Sequence, residues 1–184
     1  MDVTIRTATL EDAEALLKIY AYYVKETAIS FEWEVPTLAE FMRRITNTLK
    51  TYPYLCVLRD GVVVGYCYAE ALKGREAYRR SVELSIYLEQ TARKCGLGKR
   101  LYEALEARLK EMGILNLYAC IAWSETEDEY LNHNSPDFHA HLGFQKAGEF
   151  HRCGYKFGRW YDIIWMEKII GSHESGRPQA QGKR

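Results

Sequence analysis

The sequence predicts a single mixed α/β domain, and three observations carry that expectation. The chain has 184 residues, 47% hydrophobic and 27% charged, an ordinary balance for one globular unit with a sizeable core. Short β-rich runs alternate with segments in which apolar residues recur every three or four positions. The dipeptide Asp60–Gly61 stands between two β-rich runs, the signature of a tight hairpin.

Each element has its own justification. VTIRTA, from Val3, reads as a short strand. Thr9 and Asp12 follow in capping-box spacing, ahead of an apolar-periodic helix around Ala13 to Val24. FEWEVP interrupts with a proline, and Thr37 with Glu40 repeats the box before a helix carrying Leu38, Phe41, Ile45 and Leu49. YPYLCVLRDGVVVGYCYAEAL supplies the two hairpin strands. In SVELSIYL, Val82, Leu84, Ile86 and Leu88 alternate with Glu83, Ser85 and Tyr87, so the two sets occupy opposite faces. A helix from about Gly96 is expected to bury Leu97, Leu101, Leu105 and Met112 and to stop at Gly113. LNLYACIAW is a strand, and the acidic stretch SETEDEYLNHNS leads to a short helix ending at Leu142–Gly143. KAGEFHRCGYKFGRWYDIIWMEKII closes the fold as a pair of strands. The domain is expected to span residues 1–170, followed by a disordered Gly/Ser/polar tail, 171–184.

Lys plus Arg and Asp plus Glu are both 25, so there is no broad basic face for nucleic acid. The five cysteines (Cys56, Cys67, Cys95, Cys120, Cys153) are odd in number and form no CxxC pair. That argues against a disulfide framework and against a cysteine zinc site. MDVTIRTATLEDAEALL has neither a basic n-region nor an apolar h-region, and no apolar run reaches the ~18 residues a membrane span needs. The expectation is a cytoplasmic, reduced protein with no nucleic-acid or membrane partner.

The stretch RKCGLGKRLYEAL, residues 93 to 105, joins SVELSIYL to the long helix. A dinucleotide fingerprint fails, because Leu101 stands where GxGxxG needs its third glycine. A P-loop fails too, with Arg93 at its first glycine and Arg100 at its Ser/Thr. What remains is a strand, then RxxGxG, then a helix. Gly96 and Gly98 let the backbone approach a ligand, and the free N–H groups of the first helical turn point at it. Arg93, Lys94, Lys99 and Arg100 surround that turn with positive charge. A pyrophosphate suits this arrangement; so does a plain helix entry with a solvated basic face.

The pattern Arg93-x-x-Gly96-x-Gly98 after a strand resembles the pyrophosphate-binding signature of the GCN5-related N-acetyltransferase (GNAT) superfamily. IRTAT, IYAYYV, Phe31–Glu32, YPYLCV, GYCYAEAL, Arg75-x-Ala77-Tyr78, VELSIY, AHLGF and GYKFGRWYD are similar, in the same order, to one of its branches, the phosphinothricin and methionine sulfoximine N-acetyltransferases. The similarity runs from about residue 3 to 169. It implies the GNAT fold: a central, mixed, mostly antiparallel sheet of about six or seven strands with helices on both faces. SVELSIYL and LNLYACIAW would be parallel neighbours that splay apart. It further implies acetyl-CoA as co-substrate, no metal, a small-molecule amine acceptor and a homodimer.

The same resemblance assigns the residues. The backbone of Ile86 and Leu88 would hold the pantetheine arm, and Arg93, Lys94, Cys95, Gly96, Leu97, Gly98 and Lys99 the pyrophosphate. Asn132 and Ser135 would meet the arm as well. Glu83 of the VExSxY motif would be the general base, and His139 would sit at the active site aiding proton movement. Phe31, Glu32, Arg75 and Tyr78 would contact the acceptor, with Arg75 holding its carboxylate. On residue type alone, Glu83 also suits a half-buried strand ion pair, and Arg75 a solvated loop charge. Metal binding by His133, Asp137, His139 and His141 is disfavoured, because helical neighbours two apart point to different sides. The acidic SETEDEYL lengthens the run between Ala122 and Asn132 relative to that branch. It is the feature that would favour a protein N-terminal or lysine acetyltransferase. A non-catalytic CoA-binding module is the third reading.

Overall fold

The computed structural model describes residues 2–92 and 95–174. Its strands are β1 (Val3–Thr7), β2 (Tyr54–Arg59), β3 (Val62–Ala71), β4 (Ser81–Leu88), β5 (Asn116–Trp123), β6 (Gln145–Lys156) and β7 (Arg159–Ile169). They form one sheet in the order β1-β2-β3-β4-β5-β7-β6, antiparallel throughout except between β4 and β5. Both hairpin turns place two consecutive residues at positive φ, Asp60 and Gly61 (51° and 80°), then Phe157 and Gly158 (52° and 75°). That is the type I′ geometry whose twist matches the flanking strands.

Among the described residues four α-helices cover the two faces. α1 (Ala13–Glu26) and α2 (Leu38–Leu49) pack on one side over Tyr54, Cys56 and Tyr66. α3 (Leu97–Glu111) packs on the other over Leu55, Cys67, Val82, Leu84 and Leu117, where Phe138 of α4 (Asn134–His141) joins it. The predicted caps form locally. Thr9 N–H donates to the Asp12 carboxylate at 2.8 Å, and the Thr37 hydroxyl accepts from Glu40 N–H at 3.2 Å. In the second box Glu40 turns instead to Arg43 and Arg44. One expectation fails on α3: Met112 is 46% exposed and Leu109 is fully buried in its place. The buried stripe runs 97, 101, 105, 109, whereas Met112 is already the C-cap beyond the helix. Among the described residues no helix is long and apolar enough to cross a membrane.

β4 and β5 decide the architecture of the site. They pair only at Ser81↔Asn116, Val82↔Leu117 and Glu83↔Tyr118. Beyond that point Leu84 to Leu88 and Ala119 to Trp123 run on without pairing to each other, so the sheet is forked. The expected splay is present, and Glu83 stands at its vertex.

Candidate active site

The fork exposes backbone in a defined pattern. Glu89 N–H donates to Val64 C=O at 2.9 Å, and Leu72 N–H to Ser81 C=O at 3.4 Å. In that antiparallel register the odd-numbered residues of β4 bond to β3, so the even-numbered ones turn their N–H and C=O toward β5. Ile86, past the last β4–β5 pair, therefore points both main-chain groups into the gap. Leu88 points the same way, but the Tyr23 hydroxyl donates to its C=O at 2.6 Å and accepts from its N–H at 3.1 Å. Leu88 thus departs from the expectation: its main chain is occupied by α1, and it offers the site its side chain. IYAYYV carried the resemblance, yet nothing in its spacing singles out Tyr23 from Tyr20 or Tyr22.

A groove of about 400 Å³ opens beside this edge, lined by Tyr23, Ile86, Leu88, Gly96, Gly98 and Lys99 on one side. Asn132, Ser135 and Phe138 are among the residues that close it. Seven of the predicted cofactor residues therefore converge on one cavity, including Asn132 despite the lengthened loop before it. Cys95 is exposed just outside, and buried Leu97 packs into the core as the first residue of α3. Arg93 and Lys94 lie outside the described residues. Gly96 caps α3 at φ 77°, in the left-handed region, with no side-chain cap on the helix. The N–H groups of the first turn consequently have no partner within the helix, a ready anion site. Gly98 has a different reason. A Cβ there would stand 3.1 Å and 3.2 Å from the Phe138 ring and 3.3 Å from Leu88 Cδ1. The second glycine lets α3, α4 and β4 meet under the groove.

Inside the fork lies a smaller cavity of about 60 Å³, with Ile86, Tyr102, Ala119, Cys120, Ala122 and His139 among its walls. His139 is 3% exposed. Its Nδ1 lies 2.7 Å from Ser135 C=O, which can only accept, so Nδ1 carries the proton. Nε2 then accepts from the Tyr102 hydroxyl at 3.1 Å. Burial pushes the imidazole down to about 4, against a smaller opposing effect of the Ser135 hydrogen bond. His139 is neutral at physiological pH with both nitrogens engaged, which suits holding Tyr102 better than receiving a proton. Tyr102, missed in the sequence because it reads as one more apolar helix residue, is the hydroxyl that His139 orients.

This pair has a thermodynamic signature. A histidine lowered to about 4 in the fold and near 6.5 when unfolded stabilises fully above about pH 6.5. That stability is lost as pH falls through about 4, a loss of at most roughly 3 kcal/mol. Acid unfolding monitored between pH 7 and 4 should be steeper for the native chain than for His139→Asn. Equal slopes would contradict the buried neutral imidazole.

Glu83 occupies the opposite face of the sheet, half-buried, with its β3 partner Glu70 directly across. Burial first, and the like charge of Glu70 second, raise its carboxyl above the ordinary range, with Lys73 opposing them. A carboxyl moved toward neutral pH at the vertex of a cleft is a candidate proton acceptor.

Around that face the acceptor residues divide. Glu32 pairs with Arg44 at 2.7 Å, and Phe31 packs near Tyr161 with ring centroids 6.4 Å apart. Ile29, between α1 and Phe31, lines both the groove and the inner cavity. Arg75 and Tyr78 lie in the β3–β4 loop, both exposed and outside those two cavities. Arg75 C=O accepts from Tyr78 N–H at 2.9 Å, while its guanidinium makes no hydrogen bond or ion pair among the described residues. The acidic insertion folds onto the β6–β7 hairpin. Asp128 accepts from the Tyr161 hydroxyl at 2.9 Å and pairs with Arg159 at 2.9 Å, while Glu129 takes the other Arg159 nitrogen at 2.7 Å. Much of the loop's charge is spent inside the chain. Glu149, His151 and Asp162 bring potential metal-donor atoms within 4.8 Å of one another on β6 and β7. There Lys146 already pairs with Glu149, and Arg152 N–H donates to Asp162 at 2.5 Å.

Comparison with known proteins agrees with this geometry. Residues 5–165 match the family model described as the acetyltransferase (GNAT) domain. The chain is 33% identical over 177 residues to a phosphinothricin N-acetyltransferase of Alcaligenes faecalis, covering 96% of this chain and 87% of that one. It is 34% identical over 170 residues to an L-methionine sulfoximine/L-methionine sulfone acetyltransferase of Pseudomonas aeruginosa, covering 91% and 94%. A solved GNAT superfamily phosphinothricin acetyltransferase from Sinorhizobium meliloti, in complex with AcCoA, superposes with a TM-score of 0.88 at 33% identity. That alignment covers 98% of this chain and 95% of the other.

Proposed function

The chain belongs to the acetyltransferase (GNAT) family, and from that premise we propose that it moves an acetyl group from acetyl-CoA to the amine of a small amino-acid-like acceptor. The observation that carries this is the fork: Ile86 backbone free in the gap, the N-terminus of α3 below it, and Glu83 at its vertex. The residues present fit acetyl-CoA. The first turn of α3 with Gly96 would take the pyrophosphate, and Ile86, Asn132 and Ser135 the arm. Asn132 Oδ1 accepts from Asn134 N–H at 3.1 Å, which turns the side chain at the groove wall.

When bound, acetyl-CoA supplies a thioester carbonyl that the acceptor nitrogen attacks, with the C–S bond breaking and CoA leaving as thiolate. The protein's own work is to hold both reactants in the fork and to receive the ammonium proton. Glu83 does the latter from the acceptor face. Tyr102, held by His139 on the α3 face, lines the inner cavity and is our candidate to serve the departing sulfur, its O–H turning from His139 Nε2 to the thiolate as CoA leaves. Phe31, Glu32, Arg75 and Tyr78 are proposed to contact the acceptor, with the unpaired Arg75 suited to its carboxylate. A protein-directed acetyltransferase would use the 124–131 loop as an acidic docking rim. The engagement of Asp128 and Glu129 with Arg159 argues against that use.

A thiol-release assay with acetyl-CoA should respond to free amino acids and analogues, phosphinothricin and methionine sulfoximine among them. Release confined to peptide N-termini or lysine side chains would replace this reading, and no release with any amine would end it. A cytoplasmic location and a homodimer belong to the same proposal. For the dimer, Trp33, Tyr155 and Trp160 form an exposed aromatic patch, with centroid separations of 6.4 Å and 5.0 Å. Light scattering at micromolar concentration should give twice the chain mass.

A further inference from the structure

Lys156 ends β6, one residue before the hairpin turn proper, and it is 3% exposed although it carries an ammonium. Its Nζ donates to three backbone carbonyls: Val24 at 2.8 Å, Thr27 at 2.9 Å and Ser30 at 2.5 Å. Three donors are all an ammonium has, so its whole hydrogen-bonding capacity goes to one short stretch of chain. Val24 belongs to the last turn of α1, where carbonyls lack helical partners and positive charge is favoured. Thr27 and Ser30 bracket Ile29, the residue that lines both the cofactor groove and the inner cavity.

The same face of β6 makes a second contact with that stretch. Gly154, two residues back and therefore pointing the same way, lies under Phe31. A Cβ at Gly154 would stand 2.1 Å from Phe31 Cε2 and 2.5 Å from Cζ. The insertion adds a third contact, since Ala28 N–H donates to Tyr130 C=O at 2.9 Å. β6, the insertion and the end of α1 thus converge on residues 27–32, on the acceptor side of the fork. A buried cation is costly unless fully hydrogen-bonded, and any side chain without donors would leave three carbonyls orphaned.

We infer that Lys156 is a positioning residue for the acceptor loop 27–32, setting Ile29 against the fork while Gly154 seats Phe31. The inference rests on the transferase reading of the fork. A loop already ordered does not have to be ordered by the acceptor, so loosening it raises the acceptor KM by the reciprocal of the fraction of time the loop is correctly placed. Ile29 is one wall residue of the cofactor groove, whereas the pyrophosphate would be held by Gly96 and the first turn of α3, which none of these contacts touches.

The test compares the native full-length chain with Lys156→Met, Lys156→Arg and Gly154→Ala. Amide hydrogen exchange is followed at residues 27–32, with β2 as the reference. Lys156→Met should speed exchange in the loop by about tenfold or more while β2 stays protected. It should raise the acceptor KM by about tenfold or more with a smaller change in kcat, and leave acetyl-CoA affinity within about threefold. Lys156→Arg, which keeps donors and charge, should recover part of the KM. Gly154→Ala should raise KM through Phe31 with the Lys156 bonds intact; if Lys156→Met does not fold, Lys156→Gln, which keeps an N–H donor and loses the charge, is read for loop exchange and KM in the same way. Unchanged loop exchange in a folded Lys156→Met chain, or unchanged KM in Gly154→Ala, would overturn the inference. The exchange measurement needs no turnover, so a failed transferase reading, seen as absent thiol release by the native chain, remains distinguishable.

Discussion

Glu83→Gln should keep acetyl-CoA binding and lose turnover by ~10²–10⁴-fold, the usual worth of a positioned base. The swap conserves volume and removes only the charge. Glu83 is held above its ordinary range chiefly by burial and then by Glu70. For a carboxyl whose folded value is raised, folding favours the protonated form, so its stability contribution is present at low pH and is lost as pH rises through that raised value. Glutamine mimics the neutral form. The variant should therefore be as stable as the native chain near neutral pH, or slightly more so. That combination, stability kept and turnover lost, separates a base from a structural ion pair. The native rate should rise with pH as Glu83 ionises, and the variant should lose this limb and recover partly at high pH, where more acceptor amine is already neutral. His139→Asn should be milder, because His139 holds Tyr102 and does not receive the amine proton. Near-native turnover by Glu83→Gln across pH 6 to 9, on an acceptor the native chain uses well, would remove Glu83 from the mechanism.

The second large effect concerns the cofactor. Acetyl-CoA at about 100 times its dissociation constant should stabilise the native chain by roughly 2.7 kcal/mol, a rise of about 5 to 11 °C in Tm for a domain of this size. Gly98→Val should abolish that shift. Its Cβ meets only side-chain atoms of Phe138 and Leu88, at 3.1 Å and beyond, so the apo fold can yield by a few tenths of an ångström. The branched methyls would then project into the groove that Gly98 lines. Gly96→Ala acts differently. Nothing lies within 4 Å of the added carbon, and the penalty is the left-handed φ of 77°, about 1–2 kcal/mol for an alanine. Gly96→Ala should lower the apo Tm and keep a reduced ligand shift. A full shift in both variants, by differential scanning fluorimetry, would place the cofactor elsewhere.

What was legible in the sequence is whatever depends on local chemistry. The Thr9–Asp12 box, the Thr37 cap, the Asp60–Gly61 turn, the two-faced pattern of SVELSIYL and the Gly96–Gly98 helix entry each rest on a few neighbouring residues whose preferences agree, and all form among the described residues. The family resemblance added the strand pairing and the fork, and through them Ile86 and Glu83. Met112 departs from the expected stripe because apolar periodicity does not announce where its helix ends. The remaining features are long-range, and local spacing carries no trace of them. Tyr23 closes the Leu88 backbone across 65 residues of chain, and Lys156 reaches Val24 across 132. Tyr102 on α3 meets His139 on α4 across 37 residues. Asp128 and Glu129 read as an open acidic rim until the fold supplies Arg159. The sequence by itself determined the elements and the glycine turn that opens α3, and the resemblance added the carboxylate at the vertex. Only the tertiary structure decided which polar groups are already satisfied within the chain and which remain for a ligand, because burial and hydrogen-bond partners are set by distant segments meeting.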